Sequence, residues 1–546
     1  MRSLALILPI AALGLATGAQ AQQCASSDAI MDPPVFQWTQ ENGYKSGTLE
    51  LGEATLCIGG ETLTTRAYGQ YVEGVPTTFS IPGPTLNMVP GEKYVVTFKN
   101  SLPYAAASPD HNTFKDPNIS NLHTHGLHIS GETPADDVTR AINGGECGDY
   151  VYEIPEDHMG GTLWYHAHHH GSTFLQVAGG AFGLIVIDDS NDGLPQSVAG
   201  MQERPLAIAF LDPTAAGTGG DVLMTGSLSS TWTVNGTVGG NFSMPANEWE
   251  HWRVLLADRD AKEKTLSVGP SCEVALMARD GVWRTTAPLD LPTNSIQLTG
   301  ASRADLAVRC SGDSTISVNG TLVANVIANA GGQPDPNVGP YDPNNPADGT
   351  WSAQRPSYLR DLRGLTPTRN ETINMGARTV NGSKFDVDVA TFAVVPDGVQ
   401  EWLVKGATNH PFHLHVYHLQ MNGACGSYED GEYYDTIAAG NCLVRFDANP
   451  LTSTVYSGRT IMHCHILDHE DQGAMGWVDV LDLAGTIPPP LFPDAGHQVL
   501  YNCGGSEPPP PPPPPSVDCT QFNDRNSCNA ETQCTWSGKN KSCGPA

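Results

Sequence analysis

At 546 residues the chain is too long for one ordinary domain and predicts three or four. Its 58 acidic residues against 28 basic ones leave a formal charge of −30. That balance argues against nucleic acid and anionic lipid as partners and favours cationic or neutral substrates; an ordinary secreted acidic surface would give the same number.

The amino terminus, "MRSLALILPIAALGLATGAQAQQC", has one arginine, an apolar run and a small-x-small site at Ala19-Gln20-Ala21. This predicts a secretory signal over 1–21, with wrong flanks for an anchor. No later stretch holds the ~18 unbroken apolar residues of a membrane span. The mature product is therefore expected to be periplasmic or extracellular. Thirteen cysteines suit that oxidising setting. Setting Cys464 aside leaves twelve, an even number that could all pair. Cys272 with Cys310 and Cys425 with Cys442 are plausible local pairs, but spacing alone does not fix connectivity.

Helical periodicity is scarce along the chain. Runs such as "KYVVTF", "FGLIVI", "RPLAIAFL", "HWRVLLA", "CEVALMA" and "EWLVKG" are β-rich and separated by Gly, Pro, Asn and Asp turns. Such spacing predicts an all-β chain of sandwiches or barrels. Boundary loops near 190–203 and 330–365 give segments 22–190, 200–330 and 365–485, each the size of one sandwich. The run Pro508–Pro515 reads as a polyproline linker of roughly 25 Å. Behind it, 516–546 carries Cys519, Cys528, Cys534 and Cys543 and few apolar residues, so disulfides are expected to hold it together. With Trp536 as a stacking platform it could bind a polymer or surface; a stapled tail is the plainer reading.

Four histidine clusters stand out among eighteen histidines. "NLHTHGLH" holds His123 and His125, "WYHAHHHGS" holds His166 and His168, and "NHPFHLHVYH" holds His410, His413 and His415. "TIMHCHILDHEDQGAM" holds His463, Cys464, His465 and His469. Each cluster contains an i, i+2 pair, which shares one face of a strand. One such pair is a common surface feature; four are not. Cys464, between His463 and His465, should face the other way, and so should His410, an odd number of positions from His413. Two histidines and a thiolate are the His₂Cys set of a blue-copper site. Zinc also takes such ligands, yet eight further imidazoles beside a closed zinc site would have no purpose.

In combination, H-x-H-G, W-Y-H-x-H, H-P-x-H-L-H and H-C-H-I-x-x-H resemble the three-domain multicopper oxidases of the laccase type. "GPTLNMVPGEKY", "WTVNG", "ARDGVW" and "YYDTI" extend the similarity over roughly residues 45–485. The resemblance implies three cupredoxin-like Greek-key sandwiches, four copper ions and a trinuclear cluster between the first and third sandwiches. The middle one would be structural. It implies His410, Cys464 and His469 at type 1 copper, and His123 and His413 at type 2. His125, His166, His168, His415, His463 and His465 would hold the type 3 pair. Dioxygen and a small reducing substrate are the implied partners, with Glu470 and Asp136 (Asp137 as an alternative) as proton donors.

His128, His169, His170 and His418 would orient ligands or be solvated; His111, His158, His251 and His497 carry no implied role. Phenols or aromatic amines are the favoured substrates, and cuprous, ferrous or manganous ions the alternative. The family's axial position, ten residues after the cysteine, falls on Ala474. Met475 follows it and would need a bulge after Gly473 to reach the copper.

Overall fold

The computed structural model describes residues 24, 27–41, 43–213, 225–330, 335–341, 351, 353–486, 501–502, 534–537 and 542–545. The predicted signal over 1–21, the proline run 508–515, His497 and most of 516–546 lie outside the described residues. Of that last segment, Cys534–Ser537 and Ser542–Pro545 pair as antiparallel strands.

The β-rich runs form sheets that pack in pairs. In the first pair, an eight-stranded sheet contains Tyr44–Ile58, Glu61–Tyr71, Lys93–Asn100 and Glu146–Glu153. It covers a four-stranded sheet of Gly83–Met88, Phe182–Ile187, Gly161–His166 and His123–His125. Their inner faces meet in one core, where Leu49, Tyr68 and Val96 lie with Leu86, Leu163 and Ile185. Side chains of alternate residues supply that core, as the period of two requires.

The second pair joins a seven-stranded sheet, including Trp249–Ala257 and Arg303–Cys310, to a five-stranded one. Leu206, Trp252 and Leu306 there meet Leu266, Ile316 and Val326. The third pair stacks six strands on five, with Trp402 and Val444 against Met462 and Val478. The architecture is three cupredoxin-like β-sandwiches.

The sandwiches are not beads on a string. Trp164 and Phe174 of the first, Leu255 and Ala301 of the second and Leu467 of the third share a single apolar cluster. Burial of such side chains contributes about 1.5–3 kcal/mol each, so this junction helps hold the three sandwiches together. The Thr225–Gly226 strand also hooks back onto the edge of Glu61–Tyr71. Cys272–Cys310 and Cys425–Cys442 are disulfides, as is Cys24–Cys57. The first of these joins directly paired positions of neighbouring strands. No described helix is long and apolar enough to cross a membrane.

Candidate metal centre

Strand register assembles the histidines. In the first sandwich His123 pairs with His166 across an antiparallel ladder. In the third, His413 pairs with His463 and Phe412 with Cys464. Each ladder therefore sets two motifs abreast, and the junction brings the two ladders face to face. His123 stacks on His415 with ring centroids 3.9 Å apart, and His125 on His413 at 3.8 Å.

The eight imidazoles sort into two triads and a pair. His125, His166 and His465 converge, each offering a ring nitrogen within 4.8 Å of the others. His463 Nε2 lies 3.3 Å from His168 Nε2 and 3.2 Å from His415 Nε2. His123 and His413 remain, both with Nε2 buried and unpartnered. Burial, then the neighbouring imidazoles, holds His123, His125, His415 and His465 well below the usual histidine range. Burial likewise brings His166 down to about 3 and His168 to about 4. These six rings are thus neutral, each with one nitrogen lone pair to give. Orphaned buried ring nitrogens are costly, and metal ions resolve them all at once. Imidazole clusters of this kind suit copper.

Cys464 and His410 face the other way, as alternation predicts. With His469 they form a separate group whose ligand atoms lie within 4.8 Å. Cys464 Sγ is 3.7 Å from His469 Nδ1, and His410 Nδ1 is 3.2 Å from it. Cys464 is the free cysteine among the described residues and is buried. Burial pushes its thiol up, so the thiolate forms only as metal displaces the proton. His410 and His469 are partly exposed whereas all eight cluster histidines are buried. This second group is therefore the one that solvent reaches.

The axial question is decided by the sheet. Met475 pairs with His463 and packs against Val138, Ile461 and Trp477. Ala474 shares the core that holds Cys464, and its carbonyl accepts the Cys464 N–H at 2.9 Å. Gly473 does adopt φ 117°, yet alternation survives it and the thioether stays on the far side.

The carboxylates hold the rings in place. His123 Nδ1 lies 2.8 Å from Asp136 Oδ2, while Asp136 Oδ1 accepts the Thr124 N–H at 2.7 Å. Glu470 is fully buried, with Oε2 3.1 Å from His463 Nδ1 and Oε1 3.4 Å from His168 Nδ1. Asp137 is turned away, accepting from Thr133 Oγ1 at 2.6 Å and from the Thr139 N–H at 2.9 Å.

Of the histidines beside the motifs, His128 and His418 tie sandwiches together. His128 is within 2.8 Å of the carbonyls of Val416 and Thr454, so it joins the first sandwich to the third. Val416, a β-branched residue directly after His415, sits at φ 66°. Such strain persists only where the surroundings fix it. His418 Nε2 donates to Asp280 O at 2.9 Å. His158 accepts the His128 N–H at 3.0 Å, and His251 is 2.8 Å from Asp305. His169 lies 3.6 Å from Asp116 and His170 3.3 Å from Asn112. His111 is exposed.

Three residues at the site escape the motif reading. Asp435, in "YYDTI", has Oδ1 3.1 Å from His125 Nε2, and its carbonyl accepts from His413 Nδ1 at 2.7 Å. Arg303 of the middle sandwich pairs with Asp435. Burial would raise the Asp435 carboxyl, but Arg303 outweighs it and holds it below the usual range. Asp471 accepts the N–H groups of Gly171 at 2.7 Å, Thr173 at 3.3 Å and Phe174 at 2.9 Å. It thereby caps, from the third sandwich, the helix Thr173–Ala178 of the first. The charged pair in "RAD", opening the strand Arg303–Cys310, was a sequence sign of a buried charge network.

Residues 354–483 and 65–192 each match a family model described as multicopper oxidase. The multicopper oxidase mco of Staphylococcus haemolyticus is 24% identical over 471 residues, covering 83% of this chain and 92% of that protein. A laccase of Bacillus subtilis is 24% identical over 528 residues, covering 83% and 98%. The crystal structure of a laccase from Pediococcus acidilactici superposes with a TM-score of 0.63 at 20% identity, covering 85% of this chain and 95% of that one. A multicopper oxidase from Campylobacter jejuni, described as a metallo-oxidase, gives 0.62 at 19%, covering 84% and 96%. At these identities the structural likeness establishes the fold.

Proposed function

The chain is a laccase-like multicopper oxidase, a copper oxidoreductase with dioxygen as acceptor; from that premise we propose that it couples one-electron oxidation of a small reducing substrate to four-electron reduction of dioxygen to water. Four coppers fit the donor sets. His410, Cys464 and His469 would hold type 1 copper, and His123 with His413 type 2. The triads His125–His166–His465 and His168–His415–His463 would hold the type 3 pair. Bound copper supplies the one-electron couple and the place where dioxygen is reduced. The observation that carries this reading is the division of eleven ligating side chains into a solvent-reached His₂Cys group and a sealed cluster of imidazoles.

The residues' own part is to connect, orient and protonate. Cys464 is peptide-bonded to His463 and His465, so the two donor groups are joined by a path of one residue. His410 and His469 present the exposed edge against which a substrate docks. Reduction of dioxygen to two waters also takes up four protons. Glu470 is placed to deliver them, since it touches two rings of one triad, His463 and His168, and receives the Thr173 hydroxyl at 3.1 Å. Both oxygens of Asp136 already accept N–H groups. Its contribution is therefore to fix the tautomer of His123 and then to relay a proton along that bond.

Phenols or aromatic amines are the proposed substrates. Lys262 and Arg378 as well as Asp260 and Asp468 act on His469, a rim of mixed sign that suits neutral aromatics. Oxidation of cuprous, ferrous or manganous ions is the second reading, favoured by the net charge of −30 and by the metallo-oxidase from Campylobacter jejuni. We place the mature chain in the periplasm or outside the cell, from the leader sequence and from disulfides such as Cys24–Cys57. Steady-state oxidation of a phenol panel beside ferrous, cuprous and manganous ions separates the two readings, with Cys464→Ser as the control. Phenol turnover that is lost with Cys464 supports the first. Turnover confined to metal ions supports the second, and turnover that survives the substitution refutes both.

A further inference from the structure

The middle sandwich holds no ligand, yet one of its side chains reaches the cluster. Arg303 is fully buried. Its guanidinium grips the Asp435 carboxylate with two N–H groups, one of them 3.1 Å from Oδ1. It also donates to Ala301 O at 2.9 Å and Thr162 O at 3.3 Å. Asp280 lies 3.7 Å away and accepts the Arg303 backbone N–H at 2.9 Å. One side chain thus bonds to all three sandwiches: Thr162 in the first, Ala301 in the second and Asp435 in the third.

The room for it comes from Gly126, the residue after His125. A Cβ there would stand 2.6 Å from Arg303 Nη2 and 3.2 Å from Asp435 Oδ2. At φ 96° the position also favours glycine by conformation. The glycine of the first histidine motif is thereby the notch that admits an arginine from another sandwich.

Asp435 uses two different groups on two stacked rings. Its carboxylate faces His125 Nε2 and its backbone carbonyl faces His413 Nδ1. An oxygen that only accepts makes each facing nitrogen the N–H. His125 is left with Nδ1 free and His413 with Nε2 free, and both of those atoms are buried without a partner. A single residue therefore imposes opposite tautomers on neighbouring imidazoles. A planar bidentate fork is what holds a carboxylate in one orientation; a lysine in its place offers a point charge.

We infer that Arg303 is a positioning residue for the imidazole cluster: it fixes the Asp435 carboxylate, which sets the tautomers and angles of His125 and His413 for copper. This rests on the copper assignment above, so wild-type protein is tested beside each variant. Copper-loaded full-length Arg303→Lys, Asp435→Asn and the double variant are dialysed against graded copper buffers. Copper per chain, the blue absorption of the His410–Cys464–His469 group and the type 2 electron paramagnetic resonance signal are read.

Each single variant should lose cluster copper affinity by about tenfold to a hundredfold and shift the type 2 signal, while the blue band persists. Because Arg303 acts through Asp435, the double variant should lose no more than Asp435→Asn alone. Wild-type affinity and an unshifted signal in Arg303→Lys would overturn the inference. So would losses that multiply in the double variant, or loss of the blue band together with cluster copper. Should Arg303→Lys not fold, wild-type copper affinity in Asp435→Asn would overturn it equally. A wild-type chain that binds only one class of copper would instead refute the assignment beneath it.

Discussion

Asp136→Asn changes two atoms' chemistry and almost no volume. The carboxylate is 4% exposed and accepts two N–H groups, His123 Nδ1 at 2.8 Å and Thr124 N at 2.7 Å. An asparagine has one acceptor for these two donors. If its oxygen keeps the Thr124 N–H, its NH₂ faces His123 and drives the ring proton to Nε2. That nitrogen is the buried, unpartnered atom turned to the cluster. If the amide flips, two N–H groups collide at Thr124 instead.

Either way one charge-assisted bond is lost, about 1.5–3 kcal/mol, or about tenfold to 150-fold in copper affinity at 1.4 kcal/mol per decade. Equilibrium dialysis with copper buffers, followed by type 2 resonance spectra, measures it. The loss should fall on the cluster alone, because Asp136 has no contact with His410, Cys464 or His469. Affinity within twofold of wild type, or a parallel loss of blue colour, would refute the assignment of His123 and its orientation by Asp136.

Ala474→Met restores a thioether on the Cys464 side of the sheet and should lower the type 1 potential, since an axial sulfur tunes it downward; redox titration of the blue band reads this, and an unchanged or raised potential would contradict the packing argument. Asp471→Ala strips three backbone N–H groups of their acceptor and should cost about 3 kcal/mol in the first urea transition; a loss under about 1 kcal/mol would mean the cap is dispensable. Burial raises Asp192 from 3.8 to about 7, so its contribution is full below about pH 4 and is lost as pH rises through 7. Asp192→Asn should therefore gain on wild type by about 2–3 kcal/mol between pH 5 and pH 8, read as the difference of denaturation midpoints; a pH-independent difference would show that Asp192 is not the titrating group.

Much of this was legible because strand periodicity is rigid. Four same-face pairs, and Cys464 and His410 on the opposite face, follow from a period of two, and the structure places them so. The same rule left Met475 on the wrong side for a ligand, where it lies. What the sequence hid are contacts that depend on how sandwiches dock. Arg303 and Asp435 are 132 positions apart, and no periodicity links them. Asp471 sits directly after Glu470 in a motif read for its histidines, yet its partners are nearly 300 positions upstream. His128 and His418 looked like orienters from their proximity to ligands; their bonds instead run to backbone carbonyls of other sandwiches. Docking also ties the Thr225–Gly226 strand to the first sandwich, a pairing for which a two-residue strand carries no signal.

The central claim is that a solvent-reached thiolate site feeds a sealed imidazole cluster that completes the reduction of dioxygen. The direct measurement is the number of electrons withdrawn from a phenol per dioxygen consumed by the copper-loaded, full-length chain, with hydrogen peroxide assayed in the same vessel. The account predicts four electrons per dioxygen and no peroxide. Two electrons per dioxygen with matching peroxide would contradict it.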